Sequence, residues 1–122
     1  RTLSLVPAEL RDKHALTVQA GMALYVDYPL ALNPATTGSI PFHLTPQERL
    51  RWFEHNVYHA LSTSDEYVWC YSERMNWWQR QIPEGVEAAV RSAREKLAKG
   101  QPLGFDIAAV IAAGVKKQAE AK

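Results

Sequence analysis

The densest run of chemically useful side chains is Trp69-Cys70-Tyr71-Ser72-Glu73-Arg74-Met75-Asn76-Trp77-Trp78. A carboxylate, a guanidinium, an amide and several aromatic faces fall within ten positions. Carboxylates accept hydrogen bonds from hydroxyl groups, and aromatic faces cover the apolar C–H face of a pyranose, so this mixture suits a sugar site. Hydrolysis of a glycoside usually needs two carboxylates about 5–10 Å apart. Glu73 is the first candidate. Asp65 and Glu66 lie at the other end of the same segment, about 20 Å away at ~3.3 Å per residue, and do not pair with it. Asp27 becomes a partner only if residues 16–28 form a strand. Cys70 reads as a small hydrophobe on a buried strand.

Other constellations are weaker. His55 and His59 are four apart on a helical pattern and share one face, but no Glu stands between them as a general base. The spacing alone points to capping or packing, and no metal is expected. His14 and His43 are isolated. There is no glycine-rich phosphate loop, no G-x-S-x-G and no C-x-x-C, so no cofactor is expected. A single cysteine rules out an intramolecular disulfide framework and a multi-cysteine zinc site.

The elements that must position these groups follow from periodicity and punctuation. Pro7, Glu9 and Leu10 open a helix. Residues 15–28 are ambiguous. Leu16, Val18, Ala20, Met22, Leu24 and Val26 alternate as in a strand, whereas Leu16, Ala20, Ala23, Leu24 and Asp27 share a helical face. With Gly21 the only break, one helix from about Pro7 to Tyr28 is expected, and a strand over 16–28 is the alternative. Asn33 to His43 is a turn-rich loop, read as a hinge within one domain. Thr45, Pro46 and Glu48 spell a capping box, followed by the apolar stripe Leu50, Phe53, Val57, Ala60 and Leu61.

Residues 66–73 are aromatic and β-branched and predict a strand. Trp69, Tyr71 and Glu73 share one face; Val68, Cys70 and Ser72 share the other. Bulk on both sides predicts cover on both faces, as in a parallel sheet. Helices are then expected from about Pro83 to Lys99 and from Asp106 through the apolar run Ile107–Val115, with a flexible tail over about 116–122. One secure strand has too few neighbours to satisfy its backbone groups. The order helix–strand–helix therefore suggests part of an α/β sheet whose other strands lie upstream or in a partner chain. A small all-α domain is the alternative fold.

The chain has 122 residues, 14 Lys plus Arg against 13 Asp plus Glu, 47% hydrophobic and 22% charged residues. That composition is globular, and one domain is expected. A net charge of +1 lacks the basic stripe of a nucleic-acid binder and the polybasic tail of a membrane-surface protein, so neither partner is expected. The apolar run Ile107–Val115 is far short of the roughly 20 residues that span a bilayer.

The stretches Leu44-Thr45-Pro46-Gln47-Glu48-Arg49, Glu54-His55-Asn56-Val57-Tyr58-His59-Ala60-Leu61, Asp65-Glu66-Tyr67-Val68-Trp69-Cys70-Tyr71-Ser72-Glu73 and Trp77-Trp78 resemble the C-terminal end of bacterial proteins similar to TIM-barrel glycoside hydrolases. The resemblance covers about residues 44–100, and 5–30 loosely. It implies the last part of a (β/α)8 barrel, with carbohydrate as ligand and the remainder of the barrel, or a partner chain, completing it. It implies that Trp69, Tyr71 and Glu73 lie on the last barrel strand and that Trp77 and Trp78 line or buttress the sugar cleft, the main catalytic carboxylates lying on earlier strands; the side chains themselves add Arg74 and Asn76 as sugar contacts and Glu73 as the catalytic candidate. An extracellular or periplasmic location also follows from the resemblance alone. The Arg1 start accords with the expectation of a C-terminal piece. A reading of another class treats the chain as a non-enzymatic helical interaction subunit that docks a partner through Trp77 and Trp78.

Overall fold

A computed structural model describes residues 2–33 and 38–121. Among them the chain is mixed α/β, with four α-helices and a two-stranded parallel sheet. The helices are α1 (Arg11–Thr17), α2 (Pro46–Thr63), α3 (Val86–Ala98) and α4 (Ile107–Glu120); the strands are β1 (Met22–Tyr25) and β2 (Val68–Tyr71). The all-α alternative is therefore set aside. None of these helices is long and apolar enough to cross a membrane.

The expected helix over residues 7–28 is not formed. It divides into a 3-10 turn at Ala8–Leu10, the short α1, and β1. Long-range pairing overrides local propensity here. The backbone of β2 needs a neighbour, and the alternating residues 22–26 supply one. Gly21 allows the approach: a Cβ there would lie 3.1 Å from the Trp69 ring and 3.2 Å from the Tyr67 carbonyl oxygen. Met22 pairs with Val68, Ala23 with Trp69, Leu24 with Cys70 and Tyr25 with Tyr71. At the two ends of the ladder, the Met22 N–H donates to the Tyr67 carbonyl at 2.9 Å and the Val26 N–H to the Tyr71 carbonyl at 3.0 Å.

The crossover between the strands runs through α2. The Thr45 hydroxyl accepts from the Glu48 N–H at 3.2 Å, and the Glu48 carboxylate accepts from the Thr45 N–H at 2.7 Å. That reciprocal bond is the first cause holding the Glu48 carboxyl below its usual range, helped by Lys117. The Asn33–His43 loop contains a 3-10 turn at Ile40–His43; its positions 34–37 lie outside the described residues. Arg49 donates to the carbonyls of Pro41 and Phe42 at 2.7 and 2.9 Å and holds that turn on α2.

The core forms where α2 and α3 lie under the sheet. Phe53, Val57, Val86, Ala89 and Ala93 are buried there with Val26 and Leu30. Glu54 bridges the two helices, accepting from Ser92 and Lys96 at 2.7 Å each. Among the described residues, only one face of the sheet is covered. Leu24 and Cys70 pack against the core, while Tyr25, Trp69 and Tyr71 are about half exposed on the other side. Cover on the second face is not formed by the described residues. Bulk on the outer face comes from aromatic side chains that tolerate solvent on one side.

Asp106 caps α4 by accepting from the Ala108 N–H at 2.8 Å. The segment expected to be a tail is helical as far as Glu120, and Lys117 reaches Glu48 at 3.3 Å. Gly85 precedes α3 with φ +88°, and a Cβ there would lie 2.6 Å from Leu50 Cδ1. Gly85→Ala therefore meets left-handed strain and must also displace the Leu50 methyl. We expect it to lower stability by about 1–3 kcal/mol, read as a shift of the urea midpoint without a change in slope.

Candidate functional site

Because β1 and β2 are parallel, their C-terminal ends lie together, and so do the segments that leave them. Asp27 follows β1; Ser72, Glu73 and Arg74 follow β2. In open α/β sheets ligands bind at this end of the strands. Local sequence accounts for the turn after β1: the Leu32 N–H donates to the Asp27 carbonyl at 2.9 Å, and Ala31 takes a positive φ of 53°.

Asp27 is 0% exposed, the one charged side chain among the fully buried residues described. Both of its oxygens are engaged. Oδ1 accepts from the Ser72 hydroxyl and Oδ2 from the Glu73 N–H at 3.0 Å. The Ser72 oxygen in turn accepts from the Arg74 and Met75 N–H groups at 3.1 and 2.8 Å. A buried carboxyl on one strand thereby fixes the turn that leaves the other. The opposite end has a matching tie, in which Asp65 Oδ2 accepts from the Ala20 N–H at 2.6 Å. Asp65 and Glu66 are thus far from Glu73, as their positions along the strand required.

Above this anchor stand the exposed groups. The Tyr71 hydroxyl donates to Glu73 Oε1 at 3.1 Å. The Tyr25 and Tyr71 rings face each other at 5.9 Å between centroids, tilted by 33°. The hydrogen bond to Glu73, with its charge, holds the Tyr71 phenol above the usual value. Tyr25 is raised too, first by desolvation of its half-covered ring and then by Asp27 and Glu73, with Arg74 acting in the opposite direction. Trp69 lies two residues before Tyr71 on the same face and covers Gly21. The result is an aromatic shelf ending in a carboxylate.

The structure gathers Trp69, Tyr71, Glu73 and Arg74 on this shelf and adds Tyr25, which the sequence reading did not single out. Its signal is the alternation in 22–26, which the expected helix over 7–28 sets aside. Asn76 serves the next turn: its Oδ1 accepts from the Gln79 N–H at 3.1 Å, and its backbone pairs with Gln81. Trp77 is placed elsewhere. It walls a surface groove of about 640 Å³ with Cys70, Val90, Arg91 and Arg94, on the covered side of β2. Trp78 is 97% exposed at the tip of the 76–81 turn. Burial pushes the Cys70 thiol up, away from the thiolate form.

Asp27 and Glu73 are brought together, as a strand at 22–25 requires. They do not form a catalytic pair, because Asp27 is sealed from solvent and both of its oxygens are already occupied. His55 and His59 stack at 4.4 Å between ring centroids. No group of three or more His, Cys, Asp or Glu gathers as a metal centre among the described residues.

Two outcomes check this geometry. Asp27→Asn replaces one acceptor oxygen with a donor and leaves the Ser72 or Glu73 hydrogen without a partner. It should destabilise the chain by about 1–3 kcal/mol, measured by denaturant unfolding. Tyr71 should ionise above the ordinary tyrosine value of about 10. Its bond to Glu73 stabilises the fold at neutral pH and is lost as pH rises through the raised folded value. Glu73→Gln should bring the ionisation back down, read from the ring-carbon NMR shift of Tyr71. Comparison of the chain with family models, curated proteins and solved structures finds no match.

Proposed function

We propose that the aromatic shelf of Tyr25, Trp69 and Tyr71, with Glu73 and Arg74 at its end, binds carbohydrate. The observation that supports this best is the Glu73 carboxylate, hydrogen-bonded to Tyr71 and carried on a turn that Asp27 fixes from beneath. A preorganised acceptor beside flat apolar rings answers the two sides of a sugar, its hydroxyl groups and its C–H face. Arg74 adds donors for ring or glycosidic oxygens.

The fold reading that accompanies this is a section of a (β/α)8 barrel. A parallel pair crossed by α2, followed by α3, has the order of barrel units, and the polar groups fall at the strand ends where barrels carry their sites. The other strands would come from the remainder of the barrel or from a partner chain. On this reading the segment contributes binding groups to a glycoside-hydrolase-like site, and the main catalytic carboxylates belong to other strands. Asp27 supports that division of labour, since it is committed to structure.

The alternative role, a docking subunit that uses Trp77 and Trp78, draws support from Trp78, held 97% exposed on a tight turn. The two readings separate by mutation. In NMR titrations with cello-, xylo-, chito- and malto-oligosaccharides, the Trp69 indole and Glu73 amide signals should shift. Glu73→Gln should weaken binding by about 10- to 100-fold, the loss of a charge-assisted hydrogen bond. Trp69→Ala should weaken it further, and Trp78→Ala should leave it intact. No shift with any of these sugars, or shifts confined to Trp78, would overturn the proposal.

A further inference from the structure

On α2, His55 and His59 are one turn apart, with His59 beside Met22 and Leu24 of β1, and their rings meet at 4.4 Å between centroids with a 54° tilt. Neither capping nor core packing accounts for this. α2 is capped at its start by Thr45 and Glu48, and its buried residues are Phe53, Val57 and Ala60. His59 is exposed and His55 half-buried. His55 Nδ1 lies 3.2 Å from the Asn56 side-chain oxygen. In the tautomer that carries its proton on Nδ1, His55 donates to this oxygen and keeps the Nε2 lone pair free, the arrangement by which an outer group prepares a histidine ligand. No hydrogen bond is made by the His59 ring nitrogens among the described residues. The Tyr58 ring stands edge-on to His59 at 5.4 Å and restricts where it can turn.

We propose that His55 and His59 form a two-point site for a divalent transition-metal ion. Two imidazoles at helical i, i+4 spacing present neutral nitrogen donors on one face, which suits Cu2+, Ni2+ and Zn2+ and not Mg2+ or Ca2+. Water completes the coordination, since no further His, Cys, Asp or Glu joins the pair among the described residues. Asn56 is a positioning residue, acting on the metal through His55.

The test is calorimetric titration of the full, untagged chain with CuCl2, NiCl2 and ZnCl2. One ion should bind per chain, with Cu2+ tighter than Ni2+ or Zn2+, following the general order for nitrogen sites. His55→Gln and His59→Gln should each weaken binding on the order of 100-fold, because either loss removes the chelate. His14→Gln and His43→Gln should leave it unchanged. The Cu2+ electron paramagnetic resonance spectrum should show two equivalent imidazole nitrogens in the wild type and one in each α2 variant. Far-UV circular dichroism establishes that the variants are folded, and His59→Gln, on the exposed ring, carries the decision if His55→Gln is not. Binding of equal strength in His59→Gln, or none in the wild type, would overturn the proposal.

Discussion

The structure depends on a buried carboxyl that joins two strands far apart in sequence. Asp27 sits at the end of β1 with no exposure and receives the hydroxyl of Ser72 and the N–H of Glu73. A buried ionisable group is costly unless its acceptor sites are filled, and here the turn after β2 fills them. This exchange sets the register at one end of the ladder, as Asp65 and Ala20 do at the other. Slippage by one residue would strand Asp27 without donors and turn the aromatic side chains toward the core.

From that constraint the site follows. With residues 72–75 held, Glu73 is presented beside Tyr71 on a turn that is already ordered. The helices serve the same end from below. Phe53 and Val86, both fully buried, seat α2 and α3 under Leu24, Val26 and Cys70, and Glu54 ties the helices through Ser92 and Lys96. The outer sheet face is left to Tyr25, Trp69 and Tyr71, large rings that remain half in water. A polar anchor lies beneath and aromatic rings above, the two features on which the proposed sugar site rests.

Much of this was legible in local sequence. The capping box at Thr45 and Glu48, the stripe through Phe53 and Val57, the strand at 68–71 and the Asp106 cap are all set within a few residues of themselves. Residues 22–25 were not, because a sequence such as Met-Ala-Leu-Tyr is acceptable to helix and strand alike. Its state is decided by β2, more than forty positions away. The division of 7–28 into a turn, α1 and β1 has further consequences. Asp27 could not be seen as an anchor, nor Tyr25 as a neighbour of Tyr71, until the strands were paired. The number of covered faces was also out of reach, since alternation separates two faces and says nothing of what lies against each.

Hydrogen exchange at the amides of Glu73, Arg74 and Met75 tests the central claim most directly. In the native chain these N–H groups donate to Asp27 and Ser72. They should exchange about as slowly as the amides of β2 itself, since opening them requires releasing the buried carboxyl. Exchange at the rate of an unstructured loop, with β2 still protected, would contradict the account and leave Glu73 without its anchor.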